Sequence, residues 1–189
     1  TEYDIAIMKW FQGIEDIEYL LRYGENPQQK AKALISNNLF KQISGEKKLS
    51  YNNLLDLDAA LAIVYATESK KYICTIIKHN IPCGASIEKN QIKSYTSALA
   101  GDPISAFGGI VAFNKKVTAT AAEKLIKNYF EVVAAPDFES DALKILKRKT
   151  NLRVLKVKKF KSKIEQRSIF AGKLIQDVNN KKSTVENIY

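Results

Sequence analysis

The only histidine among the 189 residues, His79, stands next to Lys78 in the stretch Ile76-Ile77-Lys78-His79-Asn80-Ile81-Pro82-Cys83-Gly84. An imidazole exchanges protons near neutral pH, and a placed ammonium stabilises negative charge that develops on oxygen. Side by side, the two could act on one substrate. The competing reading is a strand-end lysine in water and a histidine bonded to a backbone carbonyl. A second group, Arg22-Tyr23-Gly24, has the chemistry of an anion grip. The guanidinium can hold a phosphate through two bonds, the phenol can donate, and glycine lets the backbone approach. Its competing reading is an ordinary strand end with a surface arginine. A third stretch, Gly101-Asp102-Pro103 through Phe107-Gly108-Gly109, places two adjacent glycines before an apolar run. This suggests that a ligand or another segment packs on backbone there. The stretch matches neither GxxxxGK[ST] nor GxGxxG.

These groups need elements to hold them. Tyr72-Ile73-Cys74-Thr75-Ile76-Ile77 is uncharged and rich in β-branched and aromatic residues, the pattern of a strand buried on both faces. Pro82 and Gly84 mark a loop after it. Neighbouring side chains on a regular strand point to opposite faces, so Lys78 and His79 converge on one ligand only if the strand has ended. In open α/β sheets, ligands bind at the carboxyl ends of strands. Elsewhere the sequence predicts helices over 1–13, within Ser50 to Tyr65 after a loop, over Ile87 to Ala100, Thr118 to Asn128 (with a Thr120/Glu123 capping box) and Ser140 to Lys149. Strands are expected at Ile17–Tyr23, Ile110–Phe113, Phe130–Ala135, Leu152–Val157 and Lys173–Val178, with Gly24–Gln29 a turn-rich loop. Ala33–Gln42 is too weakly patterned to assign. Glu46-Lys47-Lys48 and Lys158 to Lys163 read as surface loops or an extended arm. The alternation of strands and helices indicates an α/β fold with a mostly parallel sheet and helices on its faces.

Composition narrows the classes. Hydrophobic content of 46% and charged content of 26% are those of a folded soluble domain. No apolar run approaches the roughly 18 residues of a membrane span, and no secretory signal opens the chain. Two cysteines give no disulfide framework, so a cytoplasmic protein is expected. The net charge of +10 is concentrated: residues 144–182 hold 14 Lys and Arg against Glu165 and Asp177, whereas the remainder carries 16 basic and 18 acidic residues. Such a segment could attract nucleic acid, which makes a basic nucleic-acid-binding α/β module without catalysis the alternative function. Its few aromatic residues, chiefly Phe160 and Phe170, are too sparse for a stacking platform. A zinc site is excluded. His79 lacks the following His-x-Glu acid, Cys83 lacks a partner three residues on, and zinc needs at least three protein ligands. Cys83 beside His79 is a weak nucleophile candidate with no third, orienting group.

In order, Leu21-Arg22-Tyr23-Gly24-Glu25-Asn26-Pro27-Gln28-Gln29, Leu49-Ser50-Tyr51-Asn52-Asn53-Leu54-Leu55-Asp56, Lys78 to Gly84 and Gly101 to Gly109 closely resemble the transformylase region of the PurH family. In that family phosphoribosylaminoimidazolecarboxamide formyltransferase is joined to IMP cyclohydrolase. The resemblance covers most of residues 1–178 and implies a zinc-free, cytidine-deaminase-like α/β/α lobe, the first of two, with a polar, frayed tail over 179–189. It implies a fragment of low activity by itself, with the cyclohydrolase domain preceding Thr1 and a second lobe following. It implies formyl transfer from formyl-tetrahydrofolate to the amine of aminoimidazole carboxamide ribonucleotide (AICAR), in a homodimer, with no metal and no nucleic-acid or membrane partner. By the same resemblance His79 accepts the amine proton and Lys78 stabilises the transition state. Arg22 and Tyr23 contact the nucleotide phosphate, Asn53 faces the carboxamide, Gly108 offers backbone, and Glu131 binds ribose hydroxyls. Many relatives carry Asn-Pro-His-Gln where this chain has Asn26-Pro27-Gln28-Gln29. Gln28 can hydrogen-bond there but cannot transfer a proton as histidine does.

Overall fold

The computed structural model describes residues 16–36, 39–159, 164–170 and 172–179. The helix expected over 1–13 and the tail from residue 180 lie outside them. The chain divides into two units after Lys159. The second holds an antiparallel pair, β9 (Ile164–Ile169) with β10 (Gly172–Asp177).

The first unit is built on a six-stranded sheet in the order β3-β8-β7-β6-β4-β5. Its strands are β3 (Phe40–Ser44), β4 (Tyr72–Lys78), β5 (Ile81–Glu88), β6 (Ile110–Phe113), β7 (Val132–Ala135) and β8 (Arg153–Val157). A separate antiparallel pair, β1 (Asp16–Leu20) with β2 (Lys32–Ser36), precedes it. β6, β7 and β8 pair in parallel, while β4 pairs antiparallel with both β5 and β6 and β3 pairs antiparallel with β8. Four of the six strands therefore share one direction, and β3 and β4 oppose them. β6 and β7 are apolar throughout and β4 is interrupted only by the buried Thr75 before its terminal Lys78, because both faces of the sheet are covered.

Period-two alternation divides the strands between two cores. On one face Ile73, Ile77, Ile110, Ala112, Val132, Ala134 and Leu155 pack with Leu57, Ala60 and Val64 of α1 (Tyr51–Val64). On the other, Cys74, Ile76, Val111, Phe113, Val133, Ala135 and Val154 pack against three helices: α2 (Gln91–Leu99), α3 (Ala119–Leu125) and α4 (Ser140–Leu146). The result is the expected three-layer α/β/α lobe. No helix among the described residues is long and apolar enough to cross a membrane.

Several local expectations are corrected. Pro82 and Gly84 lie in a strand, not a loop: β4 turns back immediately into β5, and the helix expected from Ile87 begins only at Gln91, capped by Asn90. Pro82 is tolerated because β5 is an edge strand and the register slips there, with Ile76 opposite Gly84 and Ile77 opposite Pro82. α3 is capped by Thr118, whose hydroxyl accepts from the Ala121 amide, instead of by the Thr120/Glu123 pair. Glu123 pairs instead with Arg148. The unassigned Ala33–Gln42 stretch contains most of β2 and the start of β3.

Gly84 and Gly101 let β5 meet the end of α2 backbone to backbone. A Cβ on Gly84 would run into the Ala98 carbonyl, and one on Gly101 would lie 2.7 Å from the Cys83 carbonyl oxygen. Because the obstructing atoms are backbone, Gly84→Ala is expected to lower stability by about 1–3 kcal/mol, the usual cost of overpacking. Urea unfolding at fixed pH measures this, and an unchanged midpoint would contradict the close approach.

Candidate active site

One row crosses the sheet: Ile77, Ile110, Val132 and Arg153 are successive partners on β4, β6, β7 and β8. Just beyond it lie Lys78 at the end of β4, Gly108 and Gly109 before β6, and Glu131 before β7. The rim is thus the carboxyl end of β4 but the amino end of β6, β7 and β8. Lys78 and His79 lie at the carboxyl end of a strand as expected, but β4 runs against its neighbours β5 and β6.

At this rim β4 ends as expected, but in a two-residue hairpin turn. Lys78 pairs with Ile81, and His79 and Asn80 between them have φ of 51° and 62°. Both values are left-handed, as in a type I′ turn, where Asn-Gly is the usual sequence. Lys78 and His79 therefore belong to a strand end and a turn, not to one continuing ladder. His79 is exposed and Lys78 half-buried. The Lys78 ammonium donates to the Phe107 carbonyl at 2.5 Å. Gly108 follows with φ of 74°, and its amide donates to the Tyr129 carbonyl at 2.8 Å. A Cβ there would lie 3.9 Å from Lys78 Nζ, so Gly108 and Lys78 are neighbours. Phe107 and Tyr129 stack at a tilt beside them, with ring centroids 5.0 Å apart.

Arg22 and Tyr23 are strapped to the start of α1. The Arg22 amide donates to the Leu49 carbonyl at 2.9 Å, and the Tyr51 amide donates to the Tyr23 carbonyl at 3.2 Å. The Arg22 guanidinium lies 4.6 Å from the centre of the Tyr23 ring and donates to its hydroxyl at 2.8 Å. The following loop is closed by Gln29, whose carbonyl takes the Gly24 amide and whose side chain takes the Asn26 amide.

Ser50 and Asn53 form a reciprocal capping box at the start of α1. The Asn53 amide then donates to Glu131 Oε2 at 2.9 Å. The same oxygen accepts from Arg153 Nη2 at 2.7 Å. Arg153 is only 2% exposed, and its Nε has no partner. Burial pulls the Arg153 guanidinium below its usual range; Glu131 opposes that shift and the Arg22 charge reinforces it. Arg153 was not among the sequence candidates. The available signal was a cation at the head of an apolar strand, between Leu152 and Val154.

One turn beyond Asn53 on α1, the Asp56 carboxylate accepts the amides of His79 and Asn80. Cys83, across the hairpin, has its thiol pushed up, first by burial and then by Asp102, with Lys78 opposing. A raised thiol weakens the nucleophile reading of Cys83. Among the described residues no three His, Cys, Asp or Glu side chains gather as a metal-ligand set.

The structure thus joins Asn53 to Glu131, Lys78 to Gly108, and Arg22–Tyr23 to the first turn of α1. A cavity of about 500 Å³ lies elsewhere, beside Tyr19, Phe40 and Gln42, and one of about 290 Å³ lies beside Asn128, Tyr129 and Arg148. Neither is lined by any of the seven sequence candidates. In the basic segment, Lys144, Arg148, Lys156 and Lys159 pair with Asp141, Glu123, Asp137 and Glu68, which distributes counter-charge along it.

The family model described as AICARFT/IMPCHase bienzyme matches residues 1–188. The chain belongs to this family. It is similar to the bifunctional purine biosynthesis protein PurH of Prochlorococcus marinus (strain MIT 9312), with 41% identity over 99% of this chain and 41% of the relative's length. Against the protein of the same name from Clostridium botulinum (strain 657 / Type Ba4), identity is 44% over 96% of this chain and 39% of the relative. Against that of Clostridium perfringens (strain SM101 / Type A) it is 42% over 96% and 39%. The chain therefore spans about two fifths of the length of the curated relatives it matches.

Replacing Arg153 by Met would leave Glu131 without its buried counter-charge. Because Glu131 is about one-third exposed (32%), water can take over part of the bond. The expected loss is about 2–3 kcal/mol, below the roughly 3–5 kcal/mol of a fully buried broken pair. Chemical unfolding of Arg153→Met against the wild type measures it, and equal stabilities would refute the pairing.

Proposed function

We propose that this chain is the nucleotide-holding lobe of an AICAR formyltransferase, which transfers the formyl group of formyl-tetrahydrofolate to the AICAR amine. The observation that carries the reading is the clustering, in a member of this bienzyme family, of an exposed arginine on a half-buried tyrosine, a hydrogen-bonded carboxylate and a lysine–glycine contact about one sheet rim. In a polypeptide of its relatives' full length, the product would be closed to IMP by a cyclohydrolase domain. That polypeptide would be a cytoplasmic homodimer without metal, nucleic-acid or membrane partners. The 189 residues alone would show little or no turnover.

Arg22 and Tyr23, already stacked with the guanidinium exposed, would receive the phosphate without reorganising. Glu131 would accept a ribose hydroxyl through Oε1, since Oε2 is committed to Asn53 and Arg153. Asn53 is engaged at both ends of its amide, in the cap and at Glu131, so it would meet the carboxamide through its second N–H or the remaining lone pair of Oδ1. Gly108 would admit the ligand at its Cα, where no side chain intervenes. The AICAR amine is a poor nucleophile because its lone pair is delocalised, and it must shed a proton as it attacks. His79 would take that proton, and Lys78 would stabilise the oxyanion forming on the formyl oxygen.

Calorimetric titration of the chain with AICAR tests the binding half. Arg22→Ala is expected to weaken affinity about 10- to 100-fold, the range for losing a charged hydrogen bond. An unchanged Kd would remove Arg22 from the site. For the chemical half, His79→Ala in a polypeptide of the relatives' length is expected to lower formyl transfer by about 10²–10⁴-fold while nucleotide binding survives. Near-normal turnover would remove His79 from the mechanism.

A further inference from the structure

The turn carrying His79 lacks the residue that such turns ordinarily rely on. Left-handed backbone is disfavoured for residues with a Cβ, and type I′ turns favour glycine at the second central position. Here the two positions are His79 and Asn80, with φ of 51° and 62°. Asp56 lies against them. Its Oδ1 accepts the Asn80 amide at 2.6 Å, and its Oδ2 accepts the His79 amide at 3.3 Å. Asp56 is only 9% exposed and sits on the buried side of α1, next to Leu57 and one turn before Ala60. A carboxylate so placed is costly unless it is hydrogen-bonded, and two amides on consecutive residues meet that need.

We propose that Asp56 is a positioning residue for His79: its carboxylate clamps the left-handed turn and so fixes where the imidazole is presented. The two hydrogen bonds to Asp56 come from backbone amides, and it takes no part in proton transfer. It lies three residues after Asn53, on the same side of α1, so one rigid helix sets both the Glu131 contact and the His79 turn. The inference rests on the reading of His79 as proton acceptor.

The test begins with site-resolved amide hydrogen exchange on the ¹⁵N-labelled 189-residue chain. In Asp56→Ala, exchange at His79 and Asn80 is expected to speed up by about 10- to 100-fold, as for loss of hydrogen bonds to a charged acceptor. The amides of Ala60 and Ile76 should keep their protection. Asp56→Asn, which is isosteric, should accelerate at least one of the two turn amides by about tenfold. Unchanged exchange at the turn would overturn the proposal. So would equal loss of protection along α1, which would make Asp56 an ordinary packing residue. In a polypeptide of the relatives' length, Asp56→Ala should lower kcat with KM for the nucleotide nearly constant. Asn80→Gly placed in that background should restore kcat, because glycine holds the turn without the clamp. Normal kcat in Asp56→Ala, or no rescue by Asn80→Gly, would also overturn the proposal. If the wild-type chain fails to bind AICAR, the functional reading falls, while the exchange result still decides whether the clamp exists.

Discussion

Glu131 takes two hydrogen bonds on one oxygen, from Asn53 of α1 and from the buried Arg153 of β8, and most of the rim depends on that junction. A guanidinium buried to this degree needs a counter-charge, and Glu131 supplies it from the segment leading into β7. The same oxygen draws in Asn53, whose other end closes the cap of α1. The helix start, the sheet rim and the Arg22–Tyr23 strap are thus linked through a short chain of polar contacts. Breaking it would free the end of α1 and leave a charge stranded at the edge of the core.

The direction of β4 is the second constraint. Placed antiparallel to β6, it brings its carboxyl end to the amino ends of the parallel strands. Lys78 thereby comes beside Gly108, and the tight return into β5 puts His79 at the tip of a hairpin instead of in a crossover loop. A wholly parallel sheet would have carried the lysine–histidine pair to the opposite rim, away from Glu131. The glycines at 84 and 101 serve this arrangement because they let the edge hairpin lie directly on α2.

Residue types and order were enough to name the candidate groups. The lone histidine beside a lysine, the Arg22-Tyr23-Gly24 run and the paired glycines at 108 and 109 are local patterns, and the four ordered motifs pointed to the family that the comparisons support. The three-layer α/β architecture was legible as well, since doubly buried strands show as uncharged, largely apolar runs at Tyr72–Ile77, Ile110–Phe113 and Val132–Ala135. The edge strand β5 was hidden by Pro82 and Gly84, which mark loops in most contexts and are accommodated here by an unpaired edge and a slipped register. The strands around residues 33–42 were hidden because β2 exposes apolar Leu34, so the strict apolar/polar alternation that marks a half-buried strand is missing there.

Sequence by itself determined which side chains are available, which stretches are buried on both faces and where the polypeptide must turn, because these follow from side-chain chemistry and short-range periodicity. Tertiary structure decided that β4 opposes its neighbours, that Arg153 is the buried partner of Glu131, and that Asp56 meets the His79 turn. The β4–β6, Glu131–Arg153 and Asp56–turn pairings join residues 22 to 39 positions apart along the chain, within the sheet and between sheet and helix. They depend on which way a strand enters the sheet and on the need of every buried charge for a partner, and neither is written in any local pattern.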